Sequence, residues 1–308
     1  MDGVLTGFAI IGFVIVVGYV IQRIRILPAD APVVLNRFVF FIASPALLFS
    51  VLAKADLRVI FSSFLLVSIG AIAASSVAYV VLSRIFFRRG IADTTIGAAA
   101  SSYANANNIG LPVSVYVLGS AQFVAPLLMF QVIVMAPILL ALLDVSTRGH
   151  VSVKSILLQP VRNPIILGSL AGFIVAASGW QIPDALLQPF ILVGGAAVPL
   201  VLVTFGMSLA GQRPFRAGAG RTEIVTASLL KSVLMPVVAL LLARYVFQLD
   251  GVHLFAVVVL AALPTAQNIF NYAFCYDVGT VLARDTVLVT TIASLPVLLV
   301  ISALLAPA

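Results

Sequence analysis

Ten apolar runs, separated by short polar stretches, fill almost the whole chain. They lie at about 5–24, 32–52, 59–83, 94–119, 123–143, 163–179, 188–210, 222–246, 252–277 and 283–305. A helix rises 1.5 Å per residue, so about 20 apolar residues cross the ~30 Å hydrocarbon core of a bilayer. Strands of a membrane barrel would instead alternate polar and apolar positions over ~10 residues. The runs here are continuous. They predict an all-α polytopic protein with ten transmembrane helices in a lipid bilayer. The longest connection, 144–162 (DVSTRGHVSVKSILLQPVR), is too small for a soluble domain.

Two runs are interrupted by polar residues. Span four contains YANANNIGLP (103–112) and span nine contains PTAQNIFNYA (264–273). Proline removes a backbone donor and clashes with the carbonyl one turn back, and glycine weakens a helix. Gly110, Pro112 and Pro264 are therefore expected to break these helices. Backbone groups freed by a break must find protein or cavity water, because lipid cannot satisfy them.

The two interruptions belong to a wider repeat. A shift of about 154–160 residues superposes the first five spans on the last five: Gly12 meets Gly168, Pro45 meets Pro199 and Pro137 meets Pro296. Laying 104–119 over 264–279 makes Ala106/Ala266, Asn108/Asn268, Ile109/Ile269, Tyr116/Tyr276 and Gly119/Gly279 identical, with Asn107/Gln267 a similar pair. Five spans per copy is an odd number, so the second copy must enter the membrane in the opposite sense. The expected organisation is a first five-helix repeat at 1–143, a cytoplasmic loop at 144–162 and a second, inverted repeat at 163–308. Inverted repeats with broken helices at matching places are a signature of secondary transporters, and the breaks point to the binding site.

Composition supports the membrane reading. The chain of 308 residues is 62% hydrophobic and 9% charged, against about 25% charged in soluble domains. The net charge of +7 could suggest nucleic acid, but its distribution argues for topology. With the N-terminus outside, thirteen Lys and Arg residues fall on the inner side, and Lys54, Arg58 and Arg244 on the outer side. This positive-inside bias predicts a multi-pass membrane protein with both termini outside; the expected location is the plasma membrane, a bacterial inner membrane. The start MDGVLTGFAI has no basic leader region and reads as the first span, not a signal peptide. Cys275 is the single cysteine, so no internal disulfide or cysteine-cluster metal site is expected. Its expected role is helix packing. His150 and His253 are too far apart in sequence to suggest a metal site, and no cofactor is implied.

Candidate chemistry gathers at the interruptions. Half-helices beginning near Pro112 and after Pro264 would point positive dipole ends at the membrane midplane. With Asn107, Asn108, Gln267, Asn268 and Asn271 they could hold a small carboxylate. The plainer alternative makes the amides interhelical glue, worth about 0.6–2 kcal/mol each. Lys231 lies about nine residues into span eight, roughly 13 Å deep at 1.5 Å per residue. A charge there costs about 2.5–3.5 kcal/mol on insertion scales. Two readings stay open: compensation of a bound anion, or a structural lysine bonding backbone carbonyls at a break. The acidic residues sit at or near span ends; Asp277 and Asp285 read as flanking charge, with a part in proton coupling left open.

The stretches SPALLF (44–49), NANNIGLP (105–112), VRNPIILGSLAGF (161–173), FGMSLAG (205–211), LLKSVLMP (229–236), LPTAQNIFNYA (263–273) and SLPVLL (294–299) resemble the auxin efflux carrier family in order along the chain. The resemblance implies two inverted five-helix repeats of the kind shared with bile-acid sodium symporters, with spans four and nine broken and crossing. It implies scaffold helices 1, 2, 6 and 7, a moving transport unit of helices 3–5 and 8–10, and a homodimer through the scaffold. Asn108 and Asn268 match the family's crossover asparagines, and Lys231 its span-eight lysine. The implied activity is export of a small organic anion, an auxin-like monocarboxylate or a dicarboxylate, by an elevator movement. A sodium- or proton-coupled symporter and an anion channel or receptor are the alternatives. The loop at 144–162 is far shorter than in many plant members, and span three lacks their acidic residue.

Overall fold

The computed structural model describes residues 2–28, 30–55, 63–148, 163–210 and 220–306. The connecting residues 149–162, with His150, Lys154 and Arg162, lie outside the described residues, as do Arg58, Arg213 and Arg216.

The chain is all-helical, with no strand among the described residues beyond one isolated bridge. In order, the helices are α1 (Asp2–Ile24), α2 (Ala31–Leu52), α3 (Ser63–Phe87), α4 (Ile91–Ala100) and α5 (106–116). They continue with α6 (Ala121–Thr147), α7 (Pro164–Ser178), α8 (Asp184–Leu209) and α9 (Arg221–Val246). The last three are α10 (Gly251–Ala261), α11 (Gln267–Tyr276) and α12 (Thr280–Leu305). Seven of them, α1, α2, α3, α6, α8, α9 and α12, are long and apolar enough to cross a membrane. α7 and α10 are shorter apolar helices. Runs four and nine are each split, into α4 and α5 and into α10 and α11.

The splits fall where the sequence is polar, but not where the prolines alone would put them. The first interruption is at 101–105, ahead of Gly110 and Pro112, which sit inside α5. Pro112 is tolerated because α5 opens with a widened turn at Ala106–Gly110. Such a turn relieves the clash between a proline ring and the carbonyl behind it. The same device precedes Pro45, Pro137 and Pro236, where widened turns cover Val39–Ala43, Gln131–Met135 and Leu230–Leu234. Pro264, by contrast, lies within the second interruption, at 262–266.

Glycines set the closest helix contacts. α1 packs along α8, and α2 packs on α7 and α8. A Cβ on Gly18 would strike the Val203 backbone, and one on Gly206 the Ile15 carbonyl. Gly168 and Gly172 lie in the same way on the Pro45 and Phe49 backbone of α2, and Gly194 on Leu47. Lipid offers no hydrophobic drive for helix pairing, so such close backbone approach is what binds the helices. A second set of contacts links α3 with α4 and α9, α4 with α6 and α12, and α10 with α9 and α12. α5 reaches across to α1 and α8. Trp180 and Tyr245, both exposed, stand just beyond the end of α7 and near the end of α9.

Candidate functional site

The two interruptions cross each other. Ala104 and Thr265 form an antiparallel bridge. Asn105 N donates to Pro264 O at 2.8 Å, and Ala266 N to Tyr103 O at 3.0 Å. The extended segments thus satisfy one another where neither has a helix to belong to. Side chains close the remaining gaps. Thr265 Oγ1 donates to Ala100 O at 2.5 Å, and Thr265 N to Thr290 Oγ1 at 3.0 Å. Gln131 of α6, 1% exposed, donates from Nε2 to Ala104 O at 3.1 Å, and its own carbonyl accepts from Tyr103 OH at 3.1 Å. Gly110 explains the closeness of the two segments, since a Cβ there would press on Leu263 and Val124.

A cavity of about 100 Å³ opens at this crossing. Four residues expected from sequence line it: Asn107, Asn108, Gln267 and Asn268. Four more amides that sequence reasoning passed over join them: Asn36 of α2, Asn105 of the interruption, Gln131 of α6 and Asn163 at the start of α7. Tyr103 is also in the wall. Among the described residues no Lys, Arg, His, Asp or Glu lines the cavity. The N-terminal turns of both α5 and α11 face it, and helix N-termini carry partial positive charge. Asn105 caps α5 by accepting Asn108 N at 3.2 Å. Asn163 caps α7, its Oδ1 accepting Ile165 N at 3.0 Å and Ile166 N at 3.4 Å. Asn107 Nδ2 donates to Asn108 Oδ1 at 2.9 Å, and no protein group among the described residues hydrogen-bonds the buried Asn107 Oδ1.

The other expected residues lie elsewhere. Lys231 is fully buried and outside the cavity wall. Its Nζ donates to Ala261 O at 2.8 Å and lies 3.3 Å from Met235 Sδ. Ala261 ends α10, so the Lys231 amine sits on the negative end of that half-helix. Ser75 does the corresponding job for α4, donating from Oγ to Ser101 O at 2.6 Å. Asn271 is exposed and takes no part in the cavity wall. Pro112 is buried within α5. Cys275 is exposed, not packed: position 275 is on the outward face of α11, whereas Ala273 and Ile269 face inward.

Charged side chains form links at the other ends of these helices. Arg89 Nη2 meets Glu223 Oε1 at 2.8 Å and its Nε donates to the same oxygen at 2.9 Å. That hydrogen bond and the carboxylate charge push the Arg89 guanidinium pKa up from its ordinary value. Tyr276 OH donates to Asp144 Oδ1 at 2.8 Å, tying the far end of α11 to α6. Asp285 is fully buried, not flanking, with Arg284 Nε 2.7 Å away. Asp277 is exposed and ends α11 in a left-handed conformation (φ 54°).

Interrupted helices around a polar cavity recur in secondary transporters, and comparison with known proteins identifies the family. The model of the family described as "Membrane transport protein" matches residues 4–149 and 144–302. The chain belongs to this family, that of the auxin efflux carriers. A protein of Rhizobium meliloti (strain 1021) named "Putative malonate transporter" is 29% identical over 304 residues, covering 94% of this chain and 92% of that one. A transporter of Methanothermobacter thermautotrophicus is 25% identical, with 91% of each chain covered. One of Methanocaldococcus jannaschii is 24% identical, over 97% and 96%. As a member of the auxin efflux carrier family with seven membrane-length helices, the chain is a multi-pass membrane transporter.

Proposed function

We propose that this family member carries a small organic anion, a monocarboxylate or dicarboxylate, bound at the crossing of its two interrupted helices. The observation that carries the reading is the cavity itself, where amides from both interruptions converge beside two helix N-termini. Amide N–H groups and helix ends are suited to carboxylate oxygens. The malonate relative points to the same substrate class.

The architecture behind this reading is two inverted five-helix repeats, 1–143 and 163–308, joined by a cytoplasmic loop. Three internal correspondences support it. The bridged residues, 104 and 265, stand 161 positions apart, as do their hydrogen-bonding neighbours 103 and 264, and 105 and 266. Asn108 and Asn268 stand 160 apart; the widened turn at Ala106–Gly110 adds one residue in the first copy, which accounts for the slip. Ser75 and Lys231 are 156 apart, and the carbonyls they hold, on 101 and 261, are 160 apart.

In this scheme the glycine-packed helices α1, α2, α7 and α8 are a fixed scaffold, and the remainder slides as an elevator carrying the crossing. Asn36 and Asn163 then belong to the scaffold wall of the cavity. Export of an anion would be driven by a potential negative inside. Both termini lie outside a bacterial inner membrane, and two copies meet through their scaffold helices. Ion coupling is the competing form of the same reading.

Proteoliposomes holding the purified protein should take up labelled malonate saturably and show counterflow when preloaded with unlabelled malonate. Unsaturable flux without counterflow would make it a channel. Absence of flux with malonate and with monocarboxylates would end the carboxylate reading.

A further inference from the structure

Two apolar grooves lie outside the crossing, at matching places in the two halves of the chain. The first, about 390 Å³, runs between α3, α4 and α6. The second, about 400 Å³, runs between α9, α10 and α12. Their walls correspond at the offsets of the sequence repeat. Ser76, Val80 and Arg84 stand 156 positions before Ser232, Pro236 and Leu240, and Ile138 and Leu142 stand 159 before Val297 and Ile301. The fold thus makes the groove twice, but charges it once. Among the described residues Arg84 is the single charged side chain lining the first groove, and none lines the second.

The first groove has the length and polarity of half a bilayer. Along α3 it extends from Ile72 to Arg84, roughly 18 Å at 1.5 Å per residue. One leaflet of a ~30 Å hydrocarbon core is about 15 Å. Its deep end, at Ser102 and Met135, adjoins the first interruption; its other end, at Arg84 and Ile91, lies where α3 finishes and α4 begins. The hydroxyls along it are used internally. Ser76 Oγ donates to Ser102 Oγ at 2.8 Å, Ser102 Oγ to Ala98 O at 2.7 Å and Thr95 Oγ1 to Ile91 O at 2.7 Å. The outward surface is hydrocarbon from Val80, Ile91, Ile138 and Leu142, all exposed. It suits an acyl chain and offers a polar solute little.

The cation at the end of the groove is free for a ligand. Arg84 is exposed and makes no ion pair among the described residues. Asp93 of α4 is on another face of that helix, where a Cβ on Gly279 would lie 3.6 Å from its Oδ1. Asp144 of α6 accepts from Tyr276 OH, and Glu223 is held by Arg89. A guanidinium presents paired N–H donors that match phosphate oxygens.

We propose that the α3–α4–α6 groove binds one anionic phospholipid, with an acyl chain along its length and the headgroup phosphate on Arg84. The α9–α10–α12 groove takes an acyl chain without selecting its headgroup. The bound chain packs on Ser102 and Met135, beside the first interruption and in the same widened turn as Gln131. The site is independent of what the crossing carries.

Native mass spectrometry of the purified full-length protein tests this by measuring lipid binding, with phosphatidylglycerol as the anionic probe and phosphatidylcholine as the zwitterionic one. Wild type should bind its first phosphatidylglycerol about fivefold more tightly than phosphatidylcholine, the effect of one cation at the headgroup surface. Arg84→Leu should bring the two lipids to parity. Arg88→Leu, which removes an exposed arginine outside the groove, should leave the preference intact. Thr95→Phe fills the groove from α4 and Ile138→Trp fills it from α6, with Arg84 in place; each should weaken the first phosphatidylglycerol. Equal binding of both lipids by wild type overturns the proposal. So does a preference that survives Arg84→Leu or falls as far in Arg88→Leu, since general surface charge then explains it. Unchanged binding in whichever filled-groove variant keeps the wild-type melting temperature places the lipid elsewhere and also overturns it.

Discussion

Lys231 Nζ lies 2.8 Å from the carbonyl oxygen of Ala261, the last residue of the half-helix α10. A buried lysine amine thus completes a backbone end that no lipid could hydrogen-bond. The cost of burying this polar group is offset by a carbonyl that would otherwise be stranded. Its counterpart at α4 is the hydroxyl of Ser75 on Ser101 O. One half-helix end is held by an amine, the other by a hydroxyl.

Replacing Lys231 by methionine keeps the length of the side chain and removes the donor. It should cost about 1–3 kcal/mol through the unpaired Ala261 carbonyl, read as a lower melting temperature in detergent, and should depress transport. Ser75→Ala should cost less, about 0.5–1.5 kcal/mol. Equal melting temperatures for wild type and Lys231→Met would remove the capping role.

Gln131 latches α6 to the interruption at Ala104 while standing in the cavity wall. Gln131→Leu should leave the protein folded and lower transport at least tenfold, because Ala104 O loses its donor and the wall loses an amide. Transport at wild-type rate with normal expression would contradict this.

Close helix approach predicts a contrast between two glycines. Gly206→Ala drives a methyl group into the Ile15 carbonyl, whereas nothing lies within 4 Å of a Cβ on Gly12. The first substitution should destabilise by about 1–3 kcal/mol, and the second should be near neutral. Thermal unfolding of both variants in one detergent provides the comparison.

Asn36 and Asn163 face the crossing from helices outside it. Asn36→Ala should weaken carboxylate binding without loss of melting temperature, since no hydrogen bond from its side chain supports the fold among those described. Asn163→Ala should do both, because Asn163 also caps α7, a contribution of about 0.5–2 kcal/mol. Identical behaviour of the two variants would contradict this division.

The sequence made the interruptions visible because amides and prolines are conspicuous in apolar runs. NANNIGLP and PTAQN therefore point to the crossing directly. The position of the first break was misread because Pro112 disrupts a helix only where its ring meets the carbonyl behind it, and a widened turn lifts that conflict. Asn36, Gln131 and Asn163 were missed for a different reason. Each is a lone amide in or beside an otherwise ordinary span, and only packing shows that three separate helices aim them at one cavity. The Asn163-Pro164 pair did carry a helix-start signal, but a start signal does not say what lies beside it. Lys231 was legible as a buried charge; its partner, a carbonyl 30 residues away, was not. The burial of Asp285 was hidden because α12 begins at Thr280, earlier than hydropathy suggests.

The central claim is that the amides of the two interruptions bind the carried anion together. Malonate counterflow in proteoliposomes, measured for wild type, Asn108→Ala and Asn268→Ala at equal protein incorporation, tests it most directly. The account predicts at least a tenfold loss in each variant, with melting temperatures within a few degrees of wild type. Counterflow at the wild-type rate in both folded variants would contradict it.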